Sequence, residues 1–277
     1  MPPSRARRHR GLLVGAVLLG LFALVSLLAP VIAPHDPLAV AGGGGATLER
    51  PTAAHPLGTD ALGRDLLSRV LWAGRVSLAV GVGAELLAAL IGCLVGVVAG
   101  FYGGRLDAVL MRGTDVVMAF PSLVLAIGLI AVFEQPGLDK VVIVLVALGW
   151  TTIARVVRGA VLALKRREFV QAARALGAGD ASIMFRHLLP NALGSLLVAA
   201  TIGIGGNMVA EAGLSFLGLG AQSPTISWGA MLADGQTFLG SAPWVAVFPG
   251  LALLLAVLGV NLLGDGLRDV LDPRFRE

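Results

Sequence analysis

Five uncharged runs of about 18 residues or more constrain this chain first, because each needs an apolar surrounding along its whole length. They cover residues 11–33, 86–104, 116–133, 192–210 and 243–264. The second extends back to about residue 77 and then takes in Glu85. A sixth stretch, 141–164, carries Arg155 and Arg158 near its end. An arginine at the centre of a bilayer costs about 2.5–3.5 kcal/mol, but late in a span it can snorkel to the interface. The expectation is an all-α membrane protein with six transmembrane helices. Only 14% of the residues are charged, against about 25% in soluble domains, which excludes an ordinary soluble fold.

Basic residues in short loops orient such a bundle. Arg5, Arg7, Arg8 and Arg10 precede the first run, Lys165, Arg166, Arg167, Arg174 and Arg186 fill the loop 165–190, and Arg268, Arg274 and Arg276 follow the last. Six spans put all three segments on one side, so both termini are expected in the cytoplasm. The loop 34–76 then lies outside, and its Arg50, Arg64, Arg69 and Arg75 are accompanied by Glu49, Asp60 and Asp65. The organisation expected is a basic N-terminus (1–10), a first span (11–33), an extracytoplasmic loop (34–76) and a five-helix core (77–277) with a short C-terminal tail.

The first run resembles a signal peptide in its basic start, but it exceeds a 7–15-residue apolar region and reads as an uncleaved anchor. The sequence pI near 10.2 reflects these loops and calls for no nucleic acid. A single cysteine, Cys93, excludes an internal disulfide and a cysteine-based metal site.

Two polar segments interrupt the apolar pattern. Thr59 and Asp60 can cap a short helix whose Leu62, Leu66, Leu67, Val70 and Leu71 oppose Arg64, Asp65, Ser68 and Arg69. It reads as a helix in the outer headgroup layer, or as a gate closing the outer mouth of a pathway through Thr59, Asp60, Arg64 and Asp65. In residues 168–191, Phe169, Ala172, Ala173 and Leu176 form one apolar stripe at i, i+3, i+4 and i+7. Gly177 and Gly179 end that helix, Asp180 can cap a second, and Pro190 closes the loop. The alanines leave a shallow face suited to a partner's groove, although a basic loop resting on anionic lipid has the same pattern.

Within the spans, Gly92, Gly96 and Gly100 lie on one helix face and mark a packing seam. Asn207 and Glu211 share a face of the fifth span, either as interhelical hydrogen-bonding groups or as lining of a translocation path. Glu85 reads as a structural contact within the bundle or to a partner, and Asp115 as a partner of Arg112.

The loop 165–190 resembles the cytoplasmic signature of binding-protein-dependent ABC transporter permeases. Gln171-Ala172-Ala173, Gly177 and Leu189-Pro190 keep its spacing, with Gln171 in place of an acid and His187 in place of a general isoleucine. Further strings resemble the C-type subunit of the dipeptide, oligopeptide and nickel permeases, in which His187 is usual. They are HPLGTD (55–60), GRD (63–65), GRVSL (74–78), AFP (119–121), RHLLPN (186–191), EAGLSFLGLG (211–220), SWG (227–229) and NLLGDGLRD (261–269).

The resemblance implies a permease subunit in a bacterial plasma (inner) membrane, importing peptides or, alternatively, nickel chelates or other small solutes. It implies a second related permease, two ATPase subunits that bind ATP and Mg, and an extracytoplasmic substrate-binding protein. Phe169, Gln171, Ala172, Ala173, Leu176, Gly177, His187, Leu189 and Pro190 would form the ATPase-coupling loop. Independently, a phosphate-cradling loop needs Gly-Lys before Ser or Thr, and neither Lys140 nor Lys165 follows a glycine. No cofactor, metal or catalytic residue is expected on this chain, since His9, His35, His55 and His187 lack ligand spacing. The rival, a self-powered secondary transporter or channel, lacks a relay of intramembrane acids or histidines.

Overall fold

The computed structural model describes residues 5–40 and 47–271, with side chains from residue 11 onward. The glycine run 42–45, the side chains of His9 and the N-terminal arginines, and Arg274 and Arg276 lie outside what is described.

Among the described residues the secondary structure is helical, without strands. The elements are α1 (Arg5–Leu27), α2 (Ala29–Ile32), α3 (Leu66–Tyr102), α4 (Gly104–Met118), α5 (Ser122–Ile130), α6 (Leu138–Leu164), α7 (Glu168–Ala175), α8 (Asp180–Ser182), a π-helical turn (Ile183–Leu188), α9 (Leu189–Phe216), α10 (Trp228–Gln236) and α11 (Trp244–Leu271). Four helices are long and apolar enough to span a bilayer: α3, α6, the continuous 180–216 rod ending in α9, and α11. The α4–α5 pair qualifies as a fifth if its two bent halves are one span, and the apolar part of α1, Gly11–Leu27, is shorter. Of the six expected spans, four are therefore met, or five with the bent pair, and α1 is the one that falls short of the spanning length.

The third expected span, 116–133, covers the end of α4 and all of α5, which meet at an 85° bend. Pro121 lies in the break and cannot donate to the preceding turn. The boundary expected at residue 77 also shifts, because α3 runs unbroken for 37 residues from Leu66, about 55 Å. Its cap is Asp65, whose side chain accepts from the Ser68 backbone N–H, and not Thr59 or Asp60. The segment expected in the headgroup layer forms the first turns of α3, with Leu66, Ser68, Arg69 and Ala73 buried against protein.

The glycine seam joins α3 to α6. A Cβ at Gly96 would clash with the Ala154 carbonyl and crowd Val157, and Gly92 and Gly100 face Trp150 and Val161 in the same way. These pairs rise together along the chain, so α3 and α6 are parallel. Gly81 faces Met208 while Glu85 faces Gly203, and Gly205 faces Asn261 while Thr201 faces Gly264, so α9 runs antiparallel to both α3 and α11. Phe22 of α1 meets the Trp228 ring edge-on at 6.0 Å, and the Trp228 indole donates to the Val70 carbonyl at 3.0 Å.

Arg155 and Arg158 do not merely snorkel. Arg158 grips Asp107 of α4 with Nε at 2.5 Å and Nη2 at 2.7 Å. Arg155 Nη2 donates to Asp115 at 2.5 Å, so Asp115 pairs with α6 and not with its own helix neighbour Arg112.

Candidate functional site

Chemistry-bearing residues gather at three levels of the bundle: one end, the middle and the opposite end. At the first end, Lys165 Nζ donates to the Gly100 carbonyl at 2.7 Å, a cation against the C-terminal turn of α3. The chain then turns into α7. Gly177, at φ +83, ends this helix in a left-handed conformation. The Ala178 N–H reaches the Ala173 carbonyl and the Gly177 N–H reaches Arg174, both about 3 Å, which is a Schellman closure.

The expected stripe divides between two surfaces. Ala173 is buried, and Val170, which is 1% exposed, joins a buried cluster with Ile183, Met184, Leu188 and Phe101. Phe169, Ala172 and Leu176 face outward, and Leu176 is 88% exposed. Gln171 is exposed and its amide donates to the Arg166 carbonyl of its own loop at 3.2 Å. The second helix does not end at Pro190. Residues 180–216 form one rod that widens into the π turn, where the Leu189 N–H bonds to Met184. Asn191 Nδ2 donates to the His187 carbonyl at 2.7 Å where Pro190 lacks a donor. His187, Leu189 and Pro190 therefore sit at the root of α9 and not on the outer face of α7. Phe185 of the π turn is also exposed, at 43%.

In the middle, a cavity of about 830 Å³ opens at the α4–α5 break. Phe120, Leu123, Leu148, Thr151 and Ala210 line it, and its polar wall is Glu85 with Asn207. Asn207 Nδ2 donates to Glu85 Oε2 at 2.9 Å. Gly203 lies under the Glu85 carboxylate, leaving no room for a Cβ. Asn207 and Glu211 thus separate. Glu211 does not line the cavity but is fully buried, accepting from Ser77 Oγ at 3.2 Å and Ser215 Oγ at 2.7 Å.

At the opposite end, Asp60 accepts from the backbone N–H groups of Leu62 and Arg64 and from Arg64 Nε at 2.7 Å. Arg69 Nε lies 3.3 Å from the same carboxylate, and both arginines reach Asp234 of α10 at 3.8 and 3.5 Å. This network locks the loop to α3 and α10. Thr59 Oγ1 accepts from the Glu49 N–H at 2.8 Å and holds the returning loop. Asp65 stands apart from the network. Its Oδ2 caps α3 and accepts from Ser68 Oγ at 2.7 Å, while Oδ1 lies 2.9 Å from His55 Nδ1. Burial works to raise its pKa, but the bonds from Ser68 and His55 prevail and hold it below the usual carboxylate value. The histidines, expected to be scattered, are partly brought together here, with the His35 and His55 rings 4.8 Å apart.

Residues 92–277 match the model of the binding-protein-dependent transport system inner membrane component, and residues 4–44 that of the N-terminal TM domain of oligopeptide transport permease C. The chain is 38% identical to the dipeptide transport system permease protein DppC of Alkalihalophilus pseudofirmus, over 99% of this chain and 89% of that one. It is 46% identical to the glutathione transport system permease protein GsiD of Pectobacterium atrosepticum, over 82% and 75%. A solved structure of the MetNI methionine ABC transporter shares the fold, with a TM-score of 0.63, 21% identity and coverage of 75% of this chain and 98% of that one. An all-helical bundle built around several apolar spans, matched by a family model over its core and by relatives over nearly its whole length, is a membrane permease that belongs to the binding-protein-dependent transport system inner membrane components.

Proposed function

We propose that this chain is one of two permease subunits of an ATP-driven importer of short peptides. The α7 end faces the cytoplasm and docks on an ATPase subunit, and the Asp60–Asp234 end faces an extracytoplasmic binding protein. The chain performs no catalysis of its own, and ATP with Mg binds to the ATPase partners. The observation that carries this reading is the two-faced α7. Its outer face presents Leu176 and Phe169 to a partner, while Val170 enters a buried cluster with residues of α3, α6 and the π turn. A displacement of α7 by an ATPase would move those helices as a unit. The cavity at the α4–α5 break, with the Glu85–Asn207 wall, is the proposed path. The relatives' names, dipeptide and glutathione, support short peptides as cargo.

The test is reconstitution in liposomes with its partner permease, ATPases and binding protein. ATP-dependent uptake of labelled di- and tripeptides is expected. Uptake by this chain alone without ATP would sink the reading, and uptake of nickel chelates but not peptides would replace the cargo.

A further inference from the structure

We propose that His35, His55 and Asp65 form a binding site for a borderline divalent cation of the zinc class. This site is independent of the importer reading. One ligand atom from each residue lies within 4.8 Å of the others. His55 Nδ1 is 2.9 Å from Asp65 Oδ1, and His35 Nδ1 is 3.8 Å from Asp65 Oδ2. Tetrahedral coordination with bonds of about 2.0–2.1 Å places ligand atoms about 3.3 Å apart, which the set, already within 4.8 Å, reaches by small side-chain rotations. Two imidazole nitrogens with one carboxylate oxygen suit zinc, nickel or cobalt better than magnesium or calcium.

The support around the three ligands resembles that of a built site. Asp65 is fixed through Oδ2 by the Ser68 N–H and hydroxyl, which leaves Oδ1 directed at His55. The His35 backbone N–H donates to the same Ser68 hydroxyl at 3.1 Å, so one serine orients two of the three ligand residues. The His35 ring is 42% exposed and can rotate to close the set. It borders an open cavity of about 670 Å³ lined by Pro34, Trp72 and Thr225, through which water or an external group can reach a fourth position. Metal ligation uses the lone pair of His55 Nδ1, so a neutral His55 carries its single ring proton on Nε2 when the ion is bound, and the Nδ1–Oδ1 hydrogen bond gives way to two metal bonds. The bound ion would fasten the segment after α2 and the loop at His55 to the N-terminus of α3.

The experiment uses the full-length chain in its detergent-solubilised transporter complex, carrying an affinity tag without histidines. Zn²⁺ titration calorimetry compares the natural protein with His35→Ala, His55→Ala and His187→Ala. One Zn²⁺ site is expected that His35→Ala and His55→Ala weaken at least tenfold and His187→Ala leaves unchanged. Co²⁺ should give the visible absorption of a tetrahedral nitrogen–oxygen site, absent from the first two variants. Should His55→Ala fail to fold, the exposed His35 decides alone. Equal Zn²⁺ affinity in the natural protein and His35→Ala, or loss of the site in His187→Ala only, overturns the proposal.

Discussion

Asn207 of α9 donates a 2.9 Å hydrogen bond to Glu85 of α3, and both side chains are buried at the wall of the central cavity. The bond ties two antiparallel helices at the level where the α4–α5 break opens space. Gly203 keeps the surface beneath the carboxylate flat enough for it to lie there.

Replacing Asn207 by Leu leaves the Glu85 carboxylate without its donor. The expected cost is about 1–3 kcal/mol of stability, with a fall in peptide uptake at preserved membrane insertion. Asn207→Asp should be worse, since it sets a second acid against Glu85. Thermal unfolding of the detergent-solubilised complex and liposome uptake check both. Natural stability and uptake in both variants would remove the bond's role.

Ala172 and Ala173 are neighbours in sequence and about 100° apart around α7, which leaves Ala172 exposed and Ala173 buried. Ala172→Arg is expected to leave the fold intact and to uncouple ATP hydrolysis from uptake. Ala173→Arg drives a charge into a buried position and should cost several kcal/mol, reducing the yield of folded protein. The comparison is read from gel-filtration profiles alongside ATPase and uptake rates. Equivalent behaviour of the two variants would contradict the two-faced helix.

Gly96 lies against the Ala154 carbonyl across the α3–α6 seam. Gly96→Leu must separate the helices, and overpacking of this kind costs about 1–3 kcal/mol. The expected outcome is a lower melting temperature, while Gly83→Leu, at a position with open space, shifts it little.

Asp60 holds Arg64 and Arg69 together at the end opposite α7. Asp60→Ala leaves the buried Arg69 with Asp234 as its one carboxylate beside the Pro37 carbonyl, a loss of about 3–5 kcal/mol if the charge stays buried. Protease cleavage in the loop before α3 should accelerate in that variant. Cleavage at the natural rate would mean that the network does not hold the loop.

Asp65 has a depressed pKa in the folded protein because its bonds from Ser68 and His55 outweigh its burial. A group of this sign adds stability above its unfolded value of about 3.9, and the contribution disappears as pH falls through the lower folded value. The natural protein should therefore lose stability on acidification below about pH 4. Asp65→Asn should be less stable at neutral pH and should lack that portion of the acid loss, as followed by thermal unfolding across pH.

Hydropathy fixes where each apolar helix lies, because transfer to lipid is a property of a segment and needs no knowledge of its neighbours. Turn chemistry did the same for the end of α7 at Gly177, and glycine spacing for one face of α3. The motif strings carried the family. Tertiary structure decided what depends on two elements at once. Asp115 and Arg112 are close in sequence, yet Arg155 on α6 takes the acid because α4 packs beside it. Ser68 and Arg69 read as a solvated face, but α10 brings Asp234 to meet Arg69, and the polar side of α3 becomes interior. Glu211 and Asn207 share a helix face by spacing, and only the packing of α3 and α10 sends one into a serine pocket and the other to the cavity. His35 and His55 meet because the loop between them returns to the cap of α3, a closure that no local pattern records.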